Sequence, residues 1–151
     1  MMTRFICLAN SLKEGGRCLA GIELDSNNLL VIIEGKPKWI RPVYHTAHGE
    51  VPNSIAAPFR LLDILELDLT TACPQGYQSE NVIFNQTSIQ VTGHYNSSGL
   101  VDLCDNEPLI FGNRGKAVPQ DKIGDLHYSL MLISVTQFEV TQNYDIPDKP
   151  N

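Results

Sequence analysis

The sequence predicts an all-β fold with a minor helix, organised as a small barrel. Three features carry that expectation. Short runs of alternating apolar and polar residues recur at close spacing, glycines interrupt them where a strand must bend, and no long amphipathic helix occurs. The 151 residues fit one domain, and 42% hydrophobic against 19% charged residues is material for a packed core rather than a disordered chain.

The elements follow in order. Arg4 to Ala9 (RFICLA) reads as a first strand, and Asn10 to Gly16 (NSLKEGG) as a polar loop whose paired glycines allow a tight reversal. Arg17 to Leu24 is a second strand, with Cys18, Ala20, Ile22 and Leu24 on one face. Gly21, on the other face, marks a bend or a close backbone approach. Leu29 to Ile33 and Lys38 to Val43 are two short strands or a broken hairpin, split by Gly35 and Pro37. Tyr44 to Phe59 is a long loop with one helical turn around Ile55 to Ala57. Leu61 to Leu69 is a strand, because Leu65, Leu67 and Leu69 alternate with Glu66 and Asp68. Cys73 to Asn81 is polar and turn-rich, Asn81 to Phe84 and Ser88 to Thr92 are short strands, and residues 96–125 are dominated by loops. Tyr128 to Val140 (YSLMLISVTQFEV) carries the clearest strand signal of all. With no repeat or linker, residues 1–144 are expected as one domain, followed by a frayed tail at 145–151.

Composition narrows the function. Eleven basic against seventeen acidic side chains give a net charge of −6, unlike a sequence-indifferent duplex binder whose affinity comes from phosphate neutralisation. The charge is uneven: residues 1–48 carry +2 and residues 49–151 carry −8, so any basic face must be local and drawn from the first 41 residues. No apolar run reaches membrane-span length, and the N-terminus lacks a signal-peptide core, which leads to the expectation of a cytoplasmic protein without membrane partners. Cys7, Cys18, Cys73 and Cys104 form no CxxC pair, and His45 and His48 are the only closely spaced histidines, so neither a metal nor another cofactor is expected. Cys7 and Cys18 read as buried core thiols.

Four polar stretches are candidates for a site. Asn10, Ser11, Lys13 and Arg17, around Gly15 and Gly16, offer cations, small hydrogen-bonding groups and free amides that suit a phosphate; a hairpin with solvated cations is the plainer reading. Trp39 beside Arg41 suits a stacked base and its phosphate, against a core tryptophan with Arg41 paired to a carboxylate such as Asp63. Tyr77 to Asn81 supplies Gln78 and Asn81, whose amides read base edges, while Glu80 suits a buried partnership with Arg17 or Arg41. Phe111 to Lys116 is a second glycine-rich cationic turn, more simply a solvated one. No nucleophile motif, Walker loop or dinucleotide fingerprint occurs, so no catalytic residue is assigned. Asp63 and Glu80, 17 residues apart, are a weak pair for a metal-dependent hydrolase or nuclease.

Taken in order, CLANSxKxGGRCxAGxEL at Cys7 to Leu24, WIRPV at Trp39 to Val43, LLDI at Leu61 to Ile64, QSEN at Gln78 to Asn81, FGNRG at Phe111 to Gly115 and SLMLI at Ser129 to Ile133 resemble the prokaryotic dual OB-containing domain family. The resemblance implies an OB-like barrel, here with a reduced second barrel or one whose work a partner performs. It also implies an accessory role near prokaryotic conflict or defence systems. The resulting expectation is a non-enzymatic module in which Asn10, Ser11, Lys13, Arg17, Arg41, Gln78 and Asn81 line a groove for single-stranded nucleic acid or a nucleotide. The rival is an adaptor subunit that docks a larger effector, such as an ATPase or nuclease, through strand edges, long loops or its acidic half.

Overall fold

The computed structural model describes residues 1–142. Eight strands follow one another as β1 (Met2–Lys13), β2 (Gly16–Leu24), β3 (Ile32–Ile33), β4 (Lys36–Pro37), β5 (Trp39–Val43), β6 (Asp63–Ala72), β7 (Asn81–Phe84) and β8 (Gln90–His94). One short helix, α1 (Asn53–Ala56), separates β5 from β6. The main sheet runs β1-β2-β5-β7-β6, and β6 returns to pair with β1, so five strands close a barrel. All its ladders are antiparallel except β5 with β7. That order, with the helix between the third and fourth barrel strands, is an OB-like barrel. β8 adds to the outer edge of β6, and β3 and β4 make a separate two-stranded hairpin. No second closed barrel occurs among the described residues.

β1 is longer than its sequence signal. The strand does not end at Ala9 but runs to Lys13, and the reversal is confined to Glu14 and Gly15, both at positive φ (47° and 79°). Two successive positive-φ residues are what a two-residue hairpin turn with native twist requires. Gly16 therefore belongs to β2, where a Cβ would stand 2.7 Å from the Val51 carbonyl oxygen. Gly21 answers the expectation of a close approach, because a Cβ there would lie 1.8 Å from the Ile6 carbonyl oxygen. The β1–β2 register shifts between Cys7 and Ala9, at a bulge beside this contact.

The barrel interior holds Phe5, Cys7, Leu19, Ile40, Leu65, Leu67 and Phe84, with Val51 and Ala56 at one end. A second cluster, Ile6, Ile22, Leu24, Ile64 and Leu103, lies on the opposite faces of β1, β2 and β6. It is covered by Trp39, Leu100 and Leu132, among others. β2 thus sends Leu19 into the barrel interior and Ile22 and Leu24 into the second cluster on its other face, rather than burying only the single face its alternation indicates. Trp39 is partly buried against this second cluster. Cys18 is half-exposed rather than buried.

The largest departure is Tyr128 to Val140, which forms no strand. Side-chain carboxylates take the place of a neighbouring strand along its first part: the Ser129 amide donates to Glu80 Oε1 at 2.6 Å and the Leu132 amide to Asp105 Oδ2 at 2.9 Å. Only the Leu132 carbonyl, accepting from the Asp105 amide, joins a backbone pair there. The segment is a strap laid across the barrel. Beyond it, residues 133–141 make no hydrogen bond, and Ile133, Val135, Phe138 and Val140 are exposed. The expected tail at 145–151 and the boundary at residue 144 lie outside the described residues.

Candidate functional site

The hairpin of β1 and β2 decides which of the candidate side chains can meet. Directly opposed residues share a face, and Ser11 opposes Cys18 while Asn10 opposes Leu19 and Leu12 opposes Arg17. Lys13, Ser11 and Cys18 therefore face one way, and Asn10 and Arg17 the other. On the latter side, Asn10 Nδ2 donates to the carbonyls of Ala56 and Phe59, at 2.8 and 2.9 Å, capping the end of α1. Arg17 Nε donates to Asn53 Oδ1, Asn53 Nδ2 returns a bond to the Gly15 carbonyl, and Arg17 and Val51 exchange two backbone bonds. Asn10 and Arg17 thus staple the hairpin to the helix segment.

The other side opens onto a cleft of about 610 Å³. The hairpin supplies Lys13, Glu14 and Cys18, and β5 supplies Arg41 to Val43. The turn after β5 forms one wall through Tyr44 and His48, and the β6–β7 connection forms the other through Gln75, Tyr77 and Gln78. That connection is itself a tight reversal. Gln75 and Gln78 exchange two backbone bonds across Gly76 and Tyr77, which leaves the Tyr77 ring exposed at its tip.

Asn81 and Arg41 make the floor, side by side on the parallel ladder of β5 and β7. Both are more than nine-tenths buried. Arg41 Nη1 donates to Asn81 Oδ1 at 3.3 Å, and Asn81 Nδ2 donates onward to Gln78 Oε1 at 3.4 Å. Arg41 Nη2 donates to Ser129 Oγ at 2.8 Å, and that hydroxyl donates to Glu80 Oε2 at 3.0 Å. The buried charges Arg41 and Glu80 are joined through Ser129, 88 residues beyond Arg41, instead of by a direct ion pair, a link that no local pattern announces. Arg41 Nε is buried without a partner.

Lys13, Arg41, Gln78 and Asn81 of the expected groove therefore converge, Ser11 shares their face without lining the cleft, and Asn10 and Arg17 turn away. The expected ion-pair partners differ as well. Glu80 bonds Ser129, not Arg17 or Arg41. Asp63 accepts from the Arg60 amide and faces His94 Nδ1 at 3.4 Å, so it meets neither Arg41 nor Glu80. No group of three or more His, Cys, Asp or Glu side chains fit to hold a metal occurs among the described residues. The Phe111 to Lys116 turn is closed by Asn113 Nδ2 on the Gly115 and Ala117 carbonyls and lies away from the cleft. Gln75, His48 and Ser129 were not legible as site residues, since each arrives from a loop whose path the sequence leaves open.

Residues 3–151 match the dual OB-containing domain family. The chain belongs to that family. No curated protein and no solved structure matches it. In OB barrels, oligonucleotides and oligosaccharides bind the face of the second and third strands between the loops joining strands one to two and four to five. In this member of the dual OB-containing domain family those parts are β2, β5, the Glu14–Gly15 turn and residues 73–80, the same parts that line the cleft. The architecture is compatible with a ligand-binding module. No helix among the described residues is long and apolar enough to cross a membrane.

Proposed function

We propose that the chain is a non-enzymatic binding module whose cleft takes single-stranded nucleic acid or a nucleotide. One observation carries the reading: the cleft coincides with the ligand face of an OB barrel. The side chains suit that class. Tyr77 offers a stacking surface, Gln75 and Gln78 offer amides for base edges, and Lys13 offers a cation for a phosphate. The same reading keeps residues 1–144 as one domain, and the family points to an accessory role in a prokaryotic conflict or defence system, acting in the cytoplasm.

Fluorescence anisotropy with labelled single-stranded DNA and RNA across a salt series tests it. Salt-sensitive binding is expected, weakened about fivefold or more by Lys13→Ala/Gln78→Ala and unchanged by Arg17→Ala, whose side chain faces the helix. Absence of binding by the unmodified protein overturns the reading. A second reading, an adaptor docking a larger effector, draws support from residues 133–141, whose unbonded backbone and exposed apolar side chains suit addition to a partner's sheet. Pull-down of a stoichiometric partner that is lost when Phe138 and Val140 become serine supports it.

A further inference from the structure

The cleft's chemistry narrows its ligand beyond that reading, on which the following rests. A groove that follows a strand needs cations spaced along the backbone path. Among the described residues, several cations outside the cleft are committed elsewhere. Arg4 is bonded to Asn28 and to the carbonyls of Asp25 and Ser26, Arg17 is turned to Asn53, and Lys36 and Lys38 are paired with Glu107 and Glu23. Lys13 and Arg41 line the cleft with one carboxylate, Glu14, at the rim, and the other nearby carboxylate, Glu80, reaches Arg41 only through the Ser129 hydroxyl.

Arg41 is the unusual member. A guanidinium carries five N–H donors, and two are committed here to neutral oxygens, those of Asn81 and Ser129. Its Nε is buried and unpartnered, and no carboxylate contacts it as an ion pair among the described residues. A buried, under-bonded guanidinium at the floor of an open cleft, separated from its carboxylate by the Ser129 hydroxyl, has donors left for an anion, and a phosphate oxygen is its best geometric match. The volume, about 610 Å³, lies within the range of small-ligand pockets.

We propose that the cleft recognises a nucleoside bearing a single phosphate, with the phosphate on Arg41 and Lys13 and the base against Tyr77 and Gln78. Two cations set against Glu14 and the nearby Glu80 disfavour polyphosphates. The same chemistry is available from a free nucleoside monophosphate or from the phosphorylated end of a short strand.

Calorimetric titration separates the possibilities, using the four nucleosides, their 5′-monophosphates and 5′-triphosphates, and six-residue oligonucleotides with and without a 5′-phosphate. At least one monophosphate is expected to bind about tenfold or more tightly than its nucleoside, and no more weakly than its triphosphate. Preference confined to the phosphorylated oligonucleotide also upholds the proposal and identifies the strand end as the source. Lys13→Gln is expected to erase most of the phosphate preference while leaving nucleoside affinity unchanged. This variant is used because Arg41→Gln risks the fold. Equal binding with and without the phosphate, or a preference that survives Lys13→Gln, overturns the proposal and leaves the nucleic-acid reading standing. Absence of all binding overturns both.

Discussion

Gly21 and Cys7 oppose each other across the β1–β2 ladder, and each makes a prediction from its surroundings alone. A methyl group at Gly21 meets the Ile6 carbonyl at 1.8 Å and the Phe5 ring at 2.7 Å, and neither is free to move. Gly21→Ala is expected to destabilise by about 3 kcal/mol or more, read from the urea midpoint. Gly15→Ala, where φ is positive but the space is open, should cost only about 1 kcal/mol. Cys7 is buried in the barrel, and that burial, with the Asp63 carboxylate adding to it, pushes the thiol up to about 11 from 9.0, against a smaller opposing effect of the Ala9 backbone. The unfolded thiol ionises first, so this contribution is complete below pH 9.0 and is lost as the pH rises to about 11. The fall in unfolding free energy over that window should exceed that of Cys7→Ala by about 2–3 kcal/mol.

At the level of elements, the strap at Ser129 to Leu132 depends on side chains where strands depend on one another. Ser129→Ala removes the hydroxyl that joins Arg41 to Glu80 and leaves each buried charge short of a partner. A loss of about 1–3 kcal/mol in chemical unfolding is expected, without change in the barrel's far-ultraviolet dichroism. This segment also shows what the sequence can reveal. The hairpin of β1 and β2, the helical turn at α1 and the strands β6 to β8 were legible because alternation and glycine placement are local signals. Tyr128 to Val140 carries the same signal and forms no strand, because a ladder also needs an available neighbour, and here Glu80 and Asp105 occupy the amides. The site was legible to the same depth. Arg41, Gln78 and Asn81 lie on or beside strands that were recognised. Asn10 was assigned to a loop that is in fact strand, and Arg17, at the start of the second strand, was grouped with it on one candidate surface, although one step in sequence along a strand reverses the face.

Across the whole molecule, bonding density is uneven. Residues 133–141 make no hydrogen bond while the barrel is fully laddered, so limited digestion with chymotrypsin should cut first near Phe138. Mass spectrometry checks the position, and an initial cut within residues 2–94 contradicts it. The parallel ladder of β5 and β7 has a different consequence. It joins Arg41 to Asn81 across 40 residues, whereas the β1–β2 hairpin and the β6–β7 pair join near neighbours in sequence. Loop-closure entropy delays such distant pairings, so during folding this seam zips after the hairpins have formed. The cleft's floor is the seam itself. A ligand resting there has nothing to hold on a half-closed chain, and its whole binding energy goes to the finished barrel: at a hundred times its Kd it would add about 2.7 kcal/mol to unfolding and act as a clasp on a seam that closes late.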